Sequence, residues 1–462
     1  MNIGTMRAGA CASALAGAMA LAGCASFSQD GGFDAVARTA RERVGQEVRW
    51  TRTAQQKAQA DRDTAQLLAR ALCADDAVRI ALLNNGSLQA SFQELGISEA
   101  DLVRSGRPPQ PRFTLRRSSA QGLADIEETV SVSVLALITA PSVHEIEKRR
   151  FAAVQAQLAA GVIELAARTR TAYYSAIAAR DTARYRLEVE QAAETGAELA
   201  RRMRAAGNWT RLDEAREQGF HLEAALELER ARLAEQLARE NLVETLGVSL
   251  EGAGLRLAER LPDLPSAIDP LPDLEPAALE RRVDLQLMRA RIDVLARELH
   301  LTRATRFLDV LDAGPTRVQQ GPGSAPIETG YEVSLEVPIF DSGAPRLRKA
   351  EARYAQAVAS FGQAALEARS QLRQAYARYR SAYEIARRER DELLPLRQSM
   401  ADEELRRYDA GQISVFDLLA DSRSRIATES DYIQSLRDFW IARATLDAAI
   451  AGAAAPLPRV LP

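Results

Sequence analysis

Two short segments of strict alternation interrupt a chain that is otherwise patterned for helices. Thr129-Val-Ser-Val-Ser-Val134 and Tyr331-Glu-Val-Ser-Leu-Glu-Val337 put an apolar residue at every second position with Ser or Glu between, the period of a strand with one greasy face. Each is expected to pair with an upstream strand, Arg112 to Ser119 and Arg306 to Val318, across a loop such as QQGPGSAP, which gives two hairpins and four strands. After each hairpin the period lengthens. No proline occurs from Ser142 to Leu250, a stretch rich in the strong helix formers Ala, Arg, Glu, Gln and Leu. Within it Val154, Leu158, Val162, Leu165, Tyr173 and Ile177 trace one apolar stripe. The part from Ser142 to Ala205 would extend about 95 Å as a helix, too long to stand without a partner. A second tract runs from Arg346 to Ile450, broken only by Pro395, where a kink or a lost hydrogen bond is expected.

The chain is a duplication. The corner AAGNWTRLDEAR returns as DAGQISVFDLLADSR, with Gly207 and Asp213 recurring as Gly411 and Asp417 at a shift of 204 residues. The alternating strands align at a shift of 203, which also matches Phe151 with Tyr354 and Tyr173 with Tyr376. The two glycines suit the left-handed residue that closes a helix, and Thr210 to Asp213 and Ser414 to Asp417 read as capping boxes that open the next, so each corner is a tight αα-hairpin. Ile413 and Leu418 add a possible hydrophobic staple to the second corner, whereas Trp209 faces Glu214 in the first.

These elements predict a mainly α protein with a small β part, its long helices paired and its strands part of a transmembrane β-barrel. Four strands cannot close a membrane barrel, for which about eight is the minimum, and open edges are not tolerated in lipid. Two copies would supply eight strands and three would supply twelve. The expected segments are 1–23, an export signal; 24–109, a lipidated N-terminal segment and first helical region; 110–141, the first hairpin; 142–250, a long helix, corner and return helix; 251–302, a linker and the start of the second repeat; 303–341, the second hairpin; 342–450, the long helix, corner and return helix of the second repeat; and 451–462, a tail.

The 462 residues carry 60 Lys+Arg against 63 Asp+Glu, a net charge of −3 that supplies no basic field for nucleic acid. Only 5% are aromatic, while Ala is abundant, which suits helices that approach closely. Arg7 precedes the small apolar stretch AGACASALAGAMALAGC, the size of a secretory signal. Its end, Leu21-Ala22-Gly23-Cys24, resembles the lipobox of bacterial lipoproteins, which implies cleavage before Cys24 and its lipidation; Ala25 in place of Asp implies the outer membrane. With Cys11 removed and Cys24 acylated, Cys73 is left alone and no internal disulfide is possible. His144, His221 and His300 lie far apart, so no metal site is expected, and no glycine-rich phosphate loop or convergent nucleophile and base points to a cofactor or an enzyme.

In this order and on this duplicated frame the residues resemble the TolC family of outer-membrane factors, the exit ducts of tripartite efflux pumps and type I secretion systems. The carriers are the lipobox, the helix AVRIALLNNGSLQASFQELGISEADL with its proline-rich exit, Val337-Pro-Ile-Phe340-Asp-Ser-Gly343, and RRYDAGQISVFDLLADSRSR. The resemblance implies a homotrimer, a long periplasmic α-helical barrel continuing into a twelve-stranded transmembrane β-barrel in outer-membrane lipid, and contacts with a periplasmic adaptor and an inner-membrane pump. It further implies a pore gate at Asp417, Tyr408 and Asp213, with Tyr408 bonded to Asp213. Gly207, Asn208, Trp209, Gly411, Gln412 and Ile413 would meet the adaptor. On the strands Glu332 and Glu336, with Ser131, Ser133 and Ser334, would face the lumen.

The chain departs from the family pattern in three places. Leu135-Ala-Leu-Ile-Thr-Ala-Pro141 replaces the proline, phenylalanine and glycine of the second junction; Ala420 stands where a second gate carboxylate is found; and Ile413 replaces an arginine. A lipid-anchored periplasmic coiled-coil scaffold or adaptor would share the signal, the helices and the corners, but has no use for two alternating hairpins at equivalent positions.

Overall fold

The computed structural model describes residues 26–120, 123–249, 254–268, 279–320, 326–336 and 338–452, with residues 120, 123, 415–425 and 427 described by their backbone alone. Five helices come first: α1 (Phe33–Val44), α2 (Ala54–Leu68), α3 (Ala74–Asn84), α4 (Gly86–Ser91) and α5 (Gln93–Ser105). Strands β1 (Arg112–Ala120) and β2 (Leu123–Ser133) then lead into α6 (Val134–Ala205) and α7 (Arg211–Leu246). The second half repeats the plan with α8 (Val283–Thr305), β3 (Leu311–Gln320), β4 (Ile327–Leu335), α9 (Ala344–Arg388), a π turn (Glu389–Leu393), α10 (Leu394–Asp409) and α11 (Val415–Ala451). These residues form two units: the described parts of Met1–Val36, Phe92–Leu158 and Leu285–Ala364, and those of Ala37–Ser91, Ala159–Asp284 and Ala365–Pro462.

The first unit holds the sheet. Its order is β1-β2-β3-β4, antiparallel throughout, with 9, 11, 10 and 9 residues per strand. That is the length a tilted strand needs to cross a hydrocarbon core. In the same unit Phe92 and Leu95 are fully buried, and Phe33 meets Phe92 edge to face at 5.1 Å. Gly32 (φ +73°) lies so close to Phe151 that a Cβ would stand 2.2 Å from the ring, so only glycine fits there.

The second unit is packed on alanine. Ala166, Ala172, Ala176, Ala183, Ala193, Ala197 and Ala200 are buried along α6, and Ala224 and Ala231 along α7. Such small side chains let helix backbones approach closely. The few aromatic residues are concentrated in one chain of contacts, Tyr173 to Tyr174, Trp440, Phe439, Tyr379 and Tyr383, with ring centroids 5.1–5.9 Å apart. The Tyr173 hydroxyl donates to the Leu72 carbonyl at 2.7 Å, and burial raises its pKa above the ordinary phenol value. Arg282 is wholly buried but fully engaged: it pairs with Asp284 at 2.6 Å and donates to the carbonyls of Ala449 at 2.8 Å and Ala368 at 3.3 Å. Those bonds fasten the start of α8 to α9 and α11.

Several element bounds differ from expectation. The segment from Arg306 to Val310 is no strand, because α8 runs on to Thr305 and turns there, with Leu308 N–H on the Thr305 carbonyl at 3.0 Å and the Arg306 guanidinium over the Phe307 ring at 4.1 Å. The first long helix begins at Val134 instead of Ser142, its opening held by the Ser133 hydroxyl, which accepts from Ala136 N–H at 3.3 Å. Pro141 therefore lies inside this helix and costs it the bond to the Leu137 carbonyl. At Pro395 the lost donor is absorbed by the preceding π turn, in which Leu394 N–H reaches back to Glu389.

Candidate functional site: an amphipathic sheet and two matched corners

Paired residues in an antiparallel ladder point to the same face, so the register sorts the sheet into two surfaces. One face carries Thr114–Thr129–Thr316–Gly330, Arg116–Glu127 with Val318–Glu328, Ser133–Asp312–Ser334 and Gly314–Glu332. It is polar and internally bonded: the Thr129 and Thr316 hydroxyls are 3.0 Å apart, Arg116 pairs with Glu127 at 3.1 Å, and Arg112 with Asp312 at 3.7 Å. The other face carries Phe113–Val130, Val132–Ala313–Val333, Pro315–Tyr331 and Leu311–Leu335. It is apolar and bare, with Tyr331 90% and Val333 65% exposed. Its charged positions are Glu128 opposite Arg317, where opposite signs lie side by side, and Arg117 opposite Ile126.

The register puts Glu332 on the polar face with Ser131, Ser133 and Ser334. Glu336 lies one residue beyond β4, but its N–H still reaches the Val310 carbonyl at 3.2 Å, so it continues the same row pattern. Both outer strands, β1 and β4, leave an unpaired edge among the described residues.

The two corners, both in the second unit, solve the same turn identically. In the first, Gly207 (φ +78°) donates to the Arg204 carbonyl at 2.9 Å and Asn208 to Met203 at 2.9 Å. In the second, Gly411 (φ +69°) donates to Tyr408 at 2.9 Å and Gln412 to Arg407 at 2.8 Å. These are paired 6→1 and 5→2 bonds around a left-handed glycine, a Schellman closure in both repeats. Thr210 then caps α7: its hydroxyl accepts from Asp213 N–H at 3.2 Å, while the Asp213 carboxylate accepts from Thr210 N–H at 3.2 Å.

Gly207, Asn208, Gly411 and Gln412 are exposed, and Trp209 and Ile413 half-buried. Asp213 is engaged locally, by Thr210 and by Arg216 at 3.7 Å, and its carboxyl is held below the ordinary carboxylate range chiefly by the Thr210 hydrogen bond. No hydrogen bond joins it to Tyr408 among the described residues; the tyrosine, on the last turn of α10, is 40% exposed. The backbone places Asp417 in the first turn of α11, as Asp213 is in α7, but its side chain and that of Leu418 lie outside the described residues. Cys24 and the signal also lie outside them.

Two further surfaces stand out. On α7, Leu212, Leu222, Leu226, Leu233 and Leu237 are each more than half exposed, and the last four, at spacings of four, seven and four, mark one helical face. At the base of the sheet Phe307, Ile339 and Phe340 are exposed, Phe340 completely.

Among the described residues no helix is long and apolar enough to cross a membrane. Residues 274–452 match the family model for outer membrane efflux protein. The fold agrees over nearly the whole described chain. It is similar to the outer-membrane channel OprN, at 19% identity and a TM-score of 0.69, over 93% of this chain and 97% of that one. The CmeC outer membrane channel of Campylobacter jejuni matches at 14% identity and 0.70, over 88% and 90%. The open state of the MtrE outer membrane channel of Neisseria gonorrhoeae matches at 17% and 0.67, over 82% and 88%. No curated protein matches by sequence. The shared fold bears out the helical-barrel, β-barrel fold class, in which four strands per chain fit closure by trimerisation, and the match over residues 274–452 agrees with the TolC-family resemblance.

Proposed function

We propose that this efflux protein is the exit duct of a tripartite efflux or secretion system, assembled as a homotrimer in the outer membrane and reaching into the periplasm. One observation carries the reading: a four-stranded sheet with one apolar face, one polar face and two unpaired edges. In water the apolar face would be a liability, and in lipid the open edges would be. Only copies of the same sheet joined edge to edge remove both costs. Three copies give twelve strands and a polar lumen wide enough for solutes, with Glu332 and Glu336 lining it. The bare leucine face of α7 gives the helical part an equivalent surface for a neighbouring subunit.

In this reading Cys24 is lipidated and adds an anchor to the leaflet facing the periplasm. The corner residues Gly207, Asn208, Trp209, Gly411, Gln412 and Ile413 meet a periplasmic adaptor, which couples the duct to an inner-membrane pump. Asp417, with Tyr408 and Asp213, forms the gate; three convergent carboxylates favour cations and keep a closed tip from sealing apolarly. The Asp213–Thr210 capping bond supports a smaller part for Asp213, since its carboxylate already has a local partner.

The test is the full-length protein in bilayers. A particle with the mass of three chains and single-channel conductance is expected. Asp417→Ala and Tyr408→Phe should raise leak conductance of the closed state. A single chain that leaves the membrane as a soluble species once its acyl chains are removed would overturn the duct and restore the scaffold.

A further inference from the structure

The start of α9 runs against a general electrostatic preference. Helix N-termini favour acidic side chains, yet APRLRKAEAR has no acidic residue in its first turn and places Arg346, Arg348, Lys349 and Arg353 in its first three turns. The duplication does not account for this. At the repeat shift of 203 the same positions in α6 are Val143, Glu145, Ile146 and Arg150, so three of the four cations belong to the second copy alone.

Arg346, Lys349 and Arg353 line a cavity of about 260 Å³ within the first unit, together with Thr302 and Thr305 from the end of α8 and Arg306 just after it. Its walls are braced. Gly343 (φ +71°) packs against the Arg306 carbonyl, and Arg346 donates to that carbonyl at 3.3 Å while pairing with Asp309 at 2.5 Å. Its one carboxylate, Glu298, is already taken by Arg150. Arg306, Lys349 and Arg353 have no carboxylate partner among the described residues, so the cavity concentrates three uncompensated cations.

The cavity's place in the fold suggests what balances them. Its residues stand immediately before β3 and immediately after β4, below the apolar row Leu311–Leu335. The exposed Phe307, Ile339 and Phe340 lie between, where an aromatic girdle meets the polar boundary of a bilayer. Cations just beneath such a girdle stand at the depth of lipid phosphates. We propose that the α8–α9 cavity binds the phosphate of an anionic phospholipid in the periplasm-facing leaflet, with Arg306, Lys349 and Arg353 supplying charge and Arg346 holding the site open. The proposal rests on the duct reading, which places this end of the sheet at the membrane boundary.

The experiment uses the full-length assembly in detergent, with phosphatidylglycerol or phosphatidylethanolamine added and bound lipid counted by native mass spectrometry. The assembly should prefer phosphatidylglycerol, and Lys349→Gln with Arg353→Gln should weaken that binding about thirty-fold, at the usual contribution of a basic residue near a lipid surface. Lys148→Gln, a cation of the first repeat outside the cavity, should leave it unchanged. Unfolding temperature checks that the double variant keeps its fold. Equal phosphatidylglycerol binding in the double variant and the parent would overturn the site. Displacement of the lipid by millimolar inorganic phosphate would assign it to free phosphate and overturn the lipid proposal. Conductance in bilayers, read separately, reports on the duct alone, so a protein that binds the lipid but forms no channel fails the first reading and not the second.

Discussion

The two strand-to-helix junctions begin from equivalent places in a duplicated sequence and end in different structures. In the first, β2 stops at Ser133 and α6 starts at Val134 with no residue between, the Ser133 hydroxyl serving as the cap. In the second, β4 stops at Leu335 and the chain crosses an irregular stretch to Gly343 before α9 begins at Ala344. There the Asp341 carboxylate accepts from Gly343 N–H at 2.9 Å, and the left-handed glycine turns the chain into the helix against Arg306. The glycine closures of the two corners, by contrast, match bond for bond. What duplication preserved is the closure of each corner; what diverged is the junction at the base of the sheet, where the second copy carries exposed Phe307, Ile339 and Phe340 and a basic cavity.

The comparison is broken most sharply at Gly343. A valine there would meet the Arg306 carbonyl, 2.3 Å from the ideal Cβ position, in a conformation that branched side chains avoid. Gly343→Val should cost about 3 kcal/mol and lower the yield of assembled protein in the membrane. The equivalent position of the first junction is Ala140, inside a helix, where Ala140→Val should cost under about 1 kcal/mol. Thermal unfolding of the two variants checks this, and similar losses would show that the first junction is as constrained as the second.

The division between legible and hidden follows the same physics. Alternation and turn residues are local, so both hairpins, both glycine closures and the capping pair Thr210–Asp213 could be read directly. The bounds failed where a tertiary contact overrode local pattern: Arg306 to Val310 alternates well enough for a strand, but α8 continues through Thr305 and the chain turns under Phe307. The leucine face of α7 was readable at its heptad spacing, yet its exposure is visible only in three dimensions. The cavity between α8 and α9 joins residues about forty positions apart, and no motif in either segment announces it. The burial of Arg282 is likewise silent in sequence, because besides Asp284 it is held by backbone carbonyls of distant helices.

The corners sharpen the comparison from the other side. Neither glycine has any atom within 4 Å of where a Cβ would stand, so substitution tests backbone conformation alone. Gly207→Ala and Gly411→Ala should each cost about 1 kcal/mol, and the two values should agree. Unequal losses in thermal unfolding would reveal that one corner bears a constraint which its hydrogen bonds do not express.

The smallest effect concerns the cap that follows the first corner. Thr210→Ala removes the hydroxyl that accepts from Asp213 N–H and should cost about 1 kcal/mol at neutral pH. It should also change how stability responds to acid. The Thr210 hydrogen bond holds the Asp213 carboxyl below its ordinary value. A carboxyl depressed in the folded state stabilises fully above the unfolded value, and that contribution fades as pH falls through the folded one. The parent therefore loses this part of its stability in acid, whereas the alanine variant, already without it, should fall less steeply over the same range. Because Asp213 is solvent-exposed, the difference is small and is best read as the gap between the two unfolding temperatures, which should narrow from pH 7 toward pH 3. A gap that stayed constant would mean that the capping bond does not depend on the carboxylate's charge, and that the hydroxyl alone carries the cap.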